Sequence, residues 1–128
     1  MPVRFVKWYT EDFIRANPDW LFVYGDNLDR HGKGGQAAVC RGKLNTIGIP
    51  VKRSPCQHDA AYFSNDDIDE WRKAAGKDMI RIEKALFDGK MVVFPERGIG
   101  TGLAQLEKRA PLIWHELQAW LDNIFEHN

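Results

Sequence analysis

The feature that most constrains this chain is a design used twice: an apolar run breaks into a glycine-rich loop and then resumes as a helix. The first copy runs Trp20-Leu-Phe-Val-Tyr24, then Gly25-Asp-Asn27 and Gly32-Lys-Gly-Gly-Gln-Ala-Ala38. The second runs Lys90-Met-Val-Val-Phe94, then Pro95-Glu-Arg-Gly-Ile-Gly-Thr-Gly-Leu103. A short, continuous apolar run is what a strand covered on both faces looks like. Glycines permit φ > 0 and let backbone N–H groups approach an anion closely. Two such units in a chain of 128 residues therefore predict one shared ligand site.

The segments around these units alternate strand with helix. Val3 to Tyr9 is rich in strand formers, and Thr10 is suited to cap a helix to Ala16, with Glu11 and Asp12 placed for its dipole. A helix from Gly35 to Lys43 is expected after the first loop, with Ala37, Ala38 and Val39 turned inward. Thr46 to Lys52 reads as a strand in which Pro50 marks either an edge position or an irregularity near its end. Arg53 to Phe63 lacks periodicity and is expected to be a loop over the site. Ser64 starts a helix from Asn65 to Phe87, whose buried face is Ile68, Trp71, Ala75, Met79, Ile82 and Leu86, with Gly76 as its weak point. Pro111 suits the first position of a last helix carrying Leu112, Ile113, Leu117, Trp120, Leu121, Ile124 and Phe125 inward. This order predicts an α/β sandwich with a mostly parallel sheet, built as one domain over residues 1–128.

Composition removes several classes of function. Eighteen basic residues balance eighteen acidic ones, so nothing global favours a nucleic-acid or membrane surface, and any recognition of phosphate must be local. Cys40 and Cys56 have no metal-ligand or redox spacing, and His58, His115 and His127 add none, so no metal and no cofactor are expected. With no apolar run of membrane length and no signal-peptide pattern, a cytoplasmic protein is expected.

In an α/β sheet, ligands bind beyond the carboxyl ends of strands, where both loops fall. Neither loop has the phosphate-loop pattern G-x-x-x-x-G-K-[ST], and the second matches G-x-G-x-x-G only in its first three positions. Several polar residues are candidates. Lys52, at a strand end beside the cleft, can pair with phosphate or, once desolvated, act as a nucleophile. Asp26 can accept ligand hydroxyls or serve as a general base, and Asn27 can orient the same ligand; the competing reading makes both part of a turn. Arg97 is suited to clamp phosphate, while Glu96 is either a catalytic acid or the ion-pair partner of Arg97. His31 is a candidate proton shuttle, and Tyr62 or Phe63 a surface on which a base could stack.

Taken in order, Gly25-Asp-Asn27, Gly32-Lys-Gly-Gly-Gln-Ala-Ala38, Ile49-Pro-Val-Lys-Arg53 and Phe94-Pro-Glu-Arg-Gly-Ile-Gly-Thr-Gly-Leu103 resemble the motifs of macro domains. The likeness is closest to the branch that removes ADP-ribose from DNA bases or acidic side chains. The resemblance implies a three-layer α/β/α sandwich with ADP-ribose, or a related nucleotide, bound in a cleft at its top. It implies that Asn27 contacts the distal ribose, with Gly25 beside it. Gly32, Lys33, Gly34, Gly35 and Gln36 would lie along ribose and phosphate. Arg97, Gly98, Ile99, Gly100, Thr101 and Gly102 would surround the diphosphate. Lys52 is similar in position to a lysine that attacks the ribose covalently in part of that branch.

Two departures bear on activity. The catalytic branch has an acidic residue after its second glycine loop, where this chain has Gly102-Leu103-Ala104, and this chain ends on a helical pattern rather than a strand. The expectation is thus a binder of ADP-ribose or a related nucleotide, with hydrolysis of an ADP-ribosyl linkage by Lys52 and an acid from Asp26 or Glu96 as the implied activity. ADP-ribosylated DNA or protein would be the partner. The alternatives are a non-catalytic nucleotide reader and, more distantly, an interaction protein whose glycine loops are structural.

Overall fold

Apolar alternation decides the middle of the sheet. The computed structural model describes residues 2–32 and 34–128. Its strands are β1 (Val3–Val6), β2 (Leu21–Asn27), β3 (Thr46–Lys52) and β4 (Val92–Pro95). Its α-helices are α1 (Glu11–Ala16), α2 (Ala37–Cys40), α3 (Ile68–Phe87), α4 (Leu106–Arg109) and α5 (Pro111–His127). The strands are all parallel and lie in the order β1-β4-β2-β3, which puts the two most apolar strands inside. Because side chains alternate along a strand, Leu21 and Val23 of β2 enter one apolar cluster while Phe22 and Tyr24 enter another. Val92 and Phe94 of β4 likewise part from Val93.

The larger cluster receives Trp71, Ala75, Ile82 and Leu86 of α3 and Ile113, Leu117, Leu121 and Ile124 of α5. Trp71 is fully buried, a contribution of about 1.5–3 kcal/mol or more for a side chain of this size. Its indole N–H also donates to the Pro50 carbonyl at 2.9 Å, tying α3 to edge strand β3. The smaller cluster holds Ile14 of α1, Ala37 and Cys40 of α2, and Tyr9. The buried Tyr9 hydroxyl lies 2.7 Å from the Val23 carbonyl and 3.1 Å from that of Val93, bridging the two central strands.

Local signals set most helix ends. The Thr10 side chain accepts the Phe13 N–H at 3.1 Å and starts α1. Ser64 and Asp67 form a reciprocal capping box ahead of α3, which runs through Gly76 unbroken. Pro111 opens α5.

Several expectations need correction. The first strand ends at Val6, and Lys7 and Trp8 bend away from it. Strand β2 continues through Gly25, Asp26 and Asn27, with a register shift between the last two, so these residues are a strand end and not a turn. Helix α2 spans four residues only; Gly42, with φ +84°, redirects the chain, and Ala38 faces solvent. Leu112 is exposed rather than inward. Tyr62 and Phe63 are buried, so neither offers a face to a ligand. No helix among the described residues is long and apolar enough to cross a membrane.

Candidate functional site

All four strands deliver residues from their carboxyl ends to one cleft of about 430 Å³. Strand β1 sends Lys7 and Trp8, and β3 sends Val51, Lys52 and Pro55. From β2 come Gly25, Asp26 and Asn27, with Gly32, Gly34, Gly35 and Gln36 in the loop beyond. From β4 come Arg97, Gly98, Gly100, Thr101 and Gly102. The two glycine loops thus face one space. Lys33 lies outside the described residues.

The first loop is held by ion pairs. Asp26 is buried, and its Oδ1 accepts from the Asn27 N–H at 2.8 Å and from Arg41 Nη2 at 2.6 Å. Its Oδ2 receives Arg41 Nη1 at 3.3 Å and both Arg30 Nη1 and the Tyr24 hydroxyl at 3.4 Å. Arg41 also donates to the Gly32 carbonyl at 2.8 Å. Arg30, in the left-handed region at φ +57°, donates to the Gly48 carbonyl at 2.8 Å and to Asp78 of α3 at 2.7 Å. Burial lifts the Asp78 carboxyl above its ordinary value despite this bond. Burial would lower the Arg30 guanidinium, but its bonds to Asp78 and Asp26 hold it above its ordinary value. A carboxylate offers about four lone-pair positions, and five donors surround Asp26. Both of its oxygens are thus engaged in holding the first loop. Gly48 makes room for it: a Cβ there would sit 2.6 Å from the Asp26 Cβ.

Asn27 donates from Nδ2 to the His31 carbonyl at 2.8 Å, which fixes its amide. Its Oδ1 is buried and accepts no hydrogen bond among the described residues. An unpaired buried acceptor costs roughly 1–3 kcal/mol.

The second loop is held by backbone shape. Gly98, Gly100 and Gly102 have φ of +90°, +89° and +60°. A Cβ on Gly100 would meet Leu106 Cδ2 at 2.8 Å. Ile99 turns into the core and does not line the cleft. The Thr101 hydroxyl donates to the Arg97 carbonyl at 3.1 Å and is not free to donate elsewhere in that rotamer. Among the described residues, the backbone N–H groups of Ile99, Gly100, Thr101 and Gly102 meet no acceptor. Successive amides in a chain of alternating φ sign form an anion-binding concavity.

Lys52 lines the cleft, but its ammonium donates to the Cys56 carbonyl at 2.8 Å and lies 4.5 Å from the Tyr62 ring centre. Burial lowers its pKa; Cys56 opposes this and Arg109 adds to it. Glu96 is exposed and stands outside the cleft, and no ion pair joins it to Arg97 among the described residues. Asp26 is the only carboxylate on the described wall, and it is neutralised; Lys7, Lys52 and Arg97 are not ion-paired there. The wall is therefore cationic within a chain of zero net charge.

Sequence reasoning missed Arg30, Arg41, Asp78, Gly48 and Trp8. One signal was available: a carboxylate closing a buried strand requires a cation, and Arg30 and Arg41 flank the loop that follows it. Asp78 carried a weaker one, as a charge at the helical spacing of Trp71, Ala75 and Ile82.

Fold and cleft define the class: an α/β protein with a parallel sheet whose strand ends frame a glycine-walled, cationic cleft. The sequence matches a family of unknown function (DUF7831) over residues 4–120, and the chain belongs to that family. No curated protein and no solved structure matches it.

Proposed function

We propose that the chain is a cytoplasmic, macro-like domain that binds ADP-ribose or a related nucleotide between its two glycine loops. The observation that carries this reading is that backbone amides of both loops, Gly34 to Gln36 in the first and Gly100 to Gly102 in the second, line one cleft and meet no acceptor among the described residues. A diphosphate supplies such acceptors, and Arg97 on the same wall adds charge. The unpaired Asn27 Oδ1 suits a sugar hydroxyl as donor, and a cleft of about 430 Å³ has the size of a small-molecule site. Apolar clusters on both faces of the sheet fit a three-layer α/β/α arrangement.

Between chemistry and capture, the geometry favours capture. Asp26 is tied into the ion pairs that hold the first loop, Glu96 is not among the residues lining the cleft, Ala104 replaces the acid of the hydrolytic branch, and the Lys52 ammonium is engaged by a carbonyl. Calorimetry with ADP-ribose tests the reading: binding is expected, and no heat from a folded sample at millimolar ligand sinks it. Incubation with ADP-ribosylated DNA or protein separates the two modes. Binding without release supports the reader, whereas release that disappears in Lys52→Ala restores the hydrolase.

A further inference from the structure

The aromatic surface at this cleft comes from the opposite end of the sheet to the loop expected to supply it. The Tyr62 ring is covered by the Arg109 guanidinium at 3.9 Å and by the Lys52 ammonium at 4.5 Å. Trp8, in contrast, lines the cleft and keeps 55% of its surface exposed. Other tryptophans are engaged: Trp71 and Trp120 donate their indole N–H groups to the Pro50 carbonyl and Glu83, and Trp20 lies under Arg4. Trp8 has neither an indole acceptor nor a ring partner among the described residues. The sheet fixes its place. Val6 pairs with Pro95, and the Glu96 N–H donates to the Val6 carbonyl at 3.0 Å, so the chain leaves β1 alongside the start of the second loop. Leu103, 67% exposed, is a second large apolar side chain that lines the cleft and stays exposed.

Resting on the nucleotide reading above, we propose that Trp8 is the platform on which the ligand's heteroaromatic base stacks, making the cleft selective for base-bearing diphosphates over base-free ones. The four-strand order gives the layout. Trp8 stands past β1, the open amides past β4, Asn27 at the end of β2 and Lys52 at the end of β3. Neighbouring strands lie about 4.8 Å apart, so this row crosses about 14 Å. A base at one end, a diphosphate over the amides and a second sugar at Asn27 fill that row in order. An indole gives a base a flat apolar face at little entropic cost, because the ring moves on only two torsions.

The test is calorimetric titration of the wild type, Trp8→Ala and Trp8→Phe with ADP-ribose and, separately, with inorganic diphosphate. Trp8→Ala is expected to weaken ADP-ribose binding roughly five- to 150-fold, the range of one lost base–aromatic stack. Diphosphate binding should be unchanged, and Trp8→Phe should recover most of the loss. ADP-ribose binding equal in wild type and Trp8→Ala overturns the platform while leaving the anion site standing. A wild type that takes up neither probe overturns the nucleotide reading, and the platform with it. A parallel loss of both probes in Trp8→Ala also overturns selectivity for the base.

Discussion

Around the first glycine loop, Asp26 gathers Arg41 and Arg30, and Arg41 goes on to the Gly32 carbonyl. The second loop has no ion pair among the described residues; left-handed glycines shape it, with Ile99 and Leu106 packed beneath. One wall of the cleft is thus pinned by charge and the other by volume. Side-chain charges hold the first wall and steric packing holds the second, and in both the backbone amides that face the cleft, Gly34 to Gln36 and Gly100 to Gly102, meet no acceptor among the described residues.

The largest effect is expected where the charge is removed. Asp26→Asn leaves two guanidiniums facing a neutral amide and should cost about 3 kcal/mol in urea denaturation, the low end for a broken buried pair because both arginines keep some solvent. Gly48→Ala, whose Cβ would strike Asp26, should approach the same loss. A cost under about 1 kcal/mol for both would mean that charge does not hold this wall.

Next comes the wall held by volume. Gly100→Ala places a side chain at φ +89° and against Leu106, and about 2 kcal/mol of destabilisation is expected together with weakened diphosphate binding. Equal thermal and chemical stability to the wild type would break the contrast between the loops.

A smaller, pH-dependent effect belongs to Asp78. Burial, outweighing Arg30, raises its carboxyl above the ordinary 3.8, so the folded protein keeps a proton that the unfolded chain has released. Its contribution to stability is present below pH 3.8 and is lost as pH climbs through the raised value. Denaturation midpoints measured across that window should fall less steeply in Asp78→Asn; slopes identical to wild type would count against this coupling.

The smallest change in stability is expected at Gly34, where an added Cβ meets nothing within 4 Å. Gly34→Ala should stay within about 0.5 kcal/mol of wild type. Because the fold is indifferent to it, a loss of ADP-ribose affinity in this variant reports ligand approach to the first loop directly. Unchanged affinity would remove Gly34 from the site.

Most of the secondary structure could be read from the chain, because its causes are local. The apolar run at Leu21–Tyr24 is a central strand, Pro50 lies on an edge strand, and Thr10, Ser64 and Pro111 start helices. The errors fell where a distant group intervened. Strand β2 extends through Asp26 because Arg41 and Arg30 neutralise a carboxylate that would otherwise resist burial there. Tyr62 was expected to meet a base, but Arg109 and Lys52 cover it from elsewhere in the chain.

The candidate site divides in the same way. That two glycine loops follow two buried strands was written in residue order, since glycine content and hydrophobic runs act over a few neighbours. Which residues share the cleft was not, because the strand order β1-β4-β2-β3 sets Trp8 beside the second loop and gathers Arg30, Arg41 and Asp78 about Asp26. Sequence determined where the backbone can turn and where it must be buried. Only the tertiary structure decided which charges are spent on holding it and which amides stay open, because both depend on what packs against them from far along the chain.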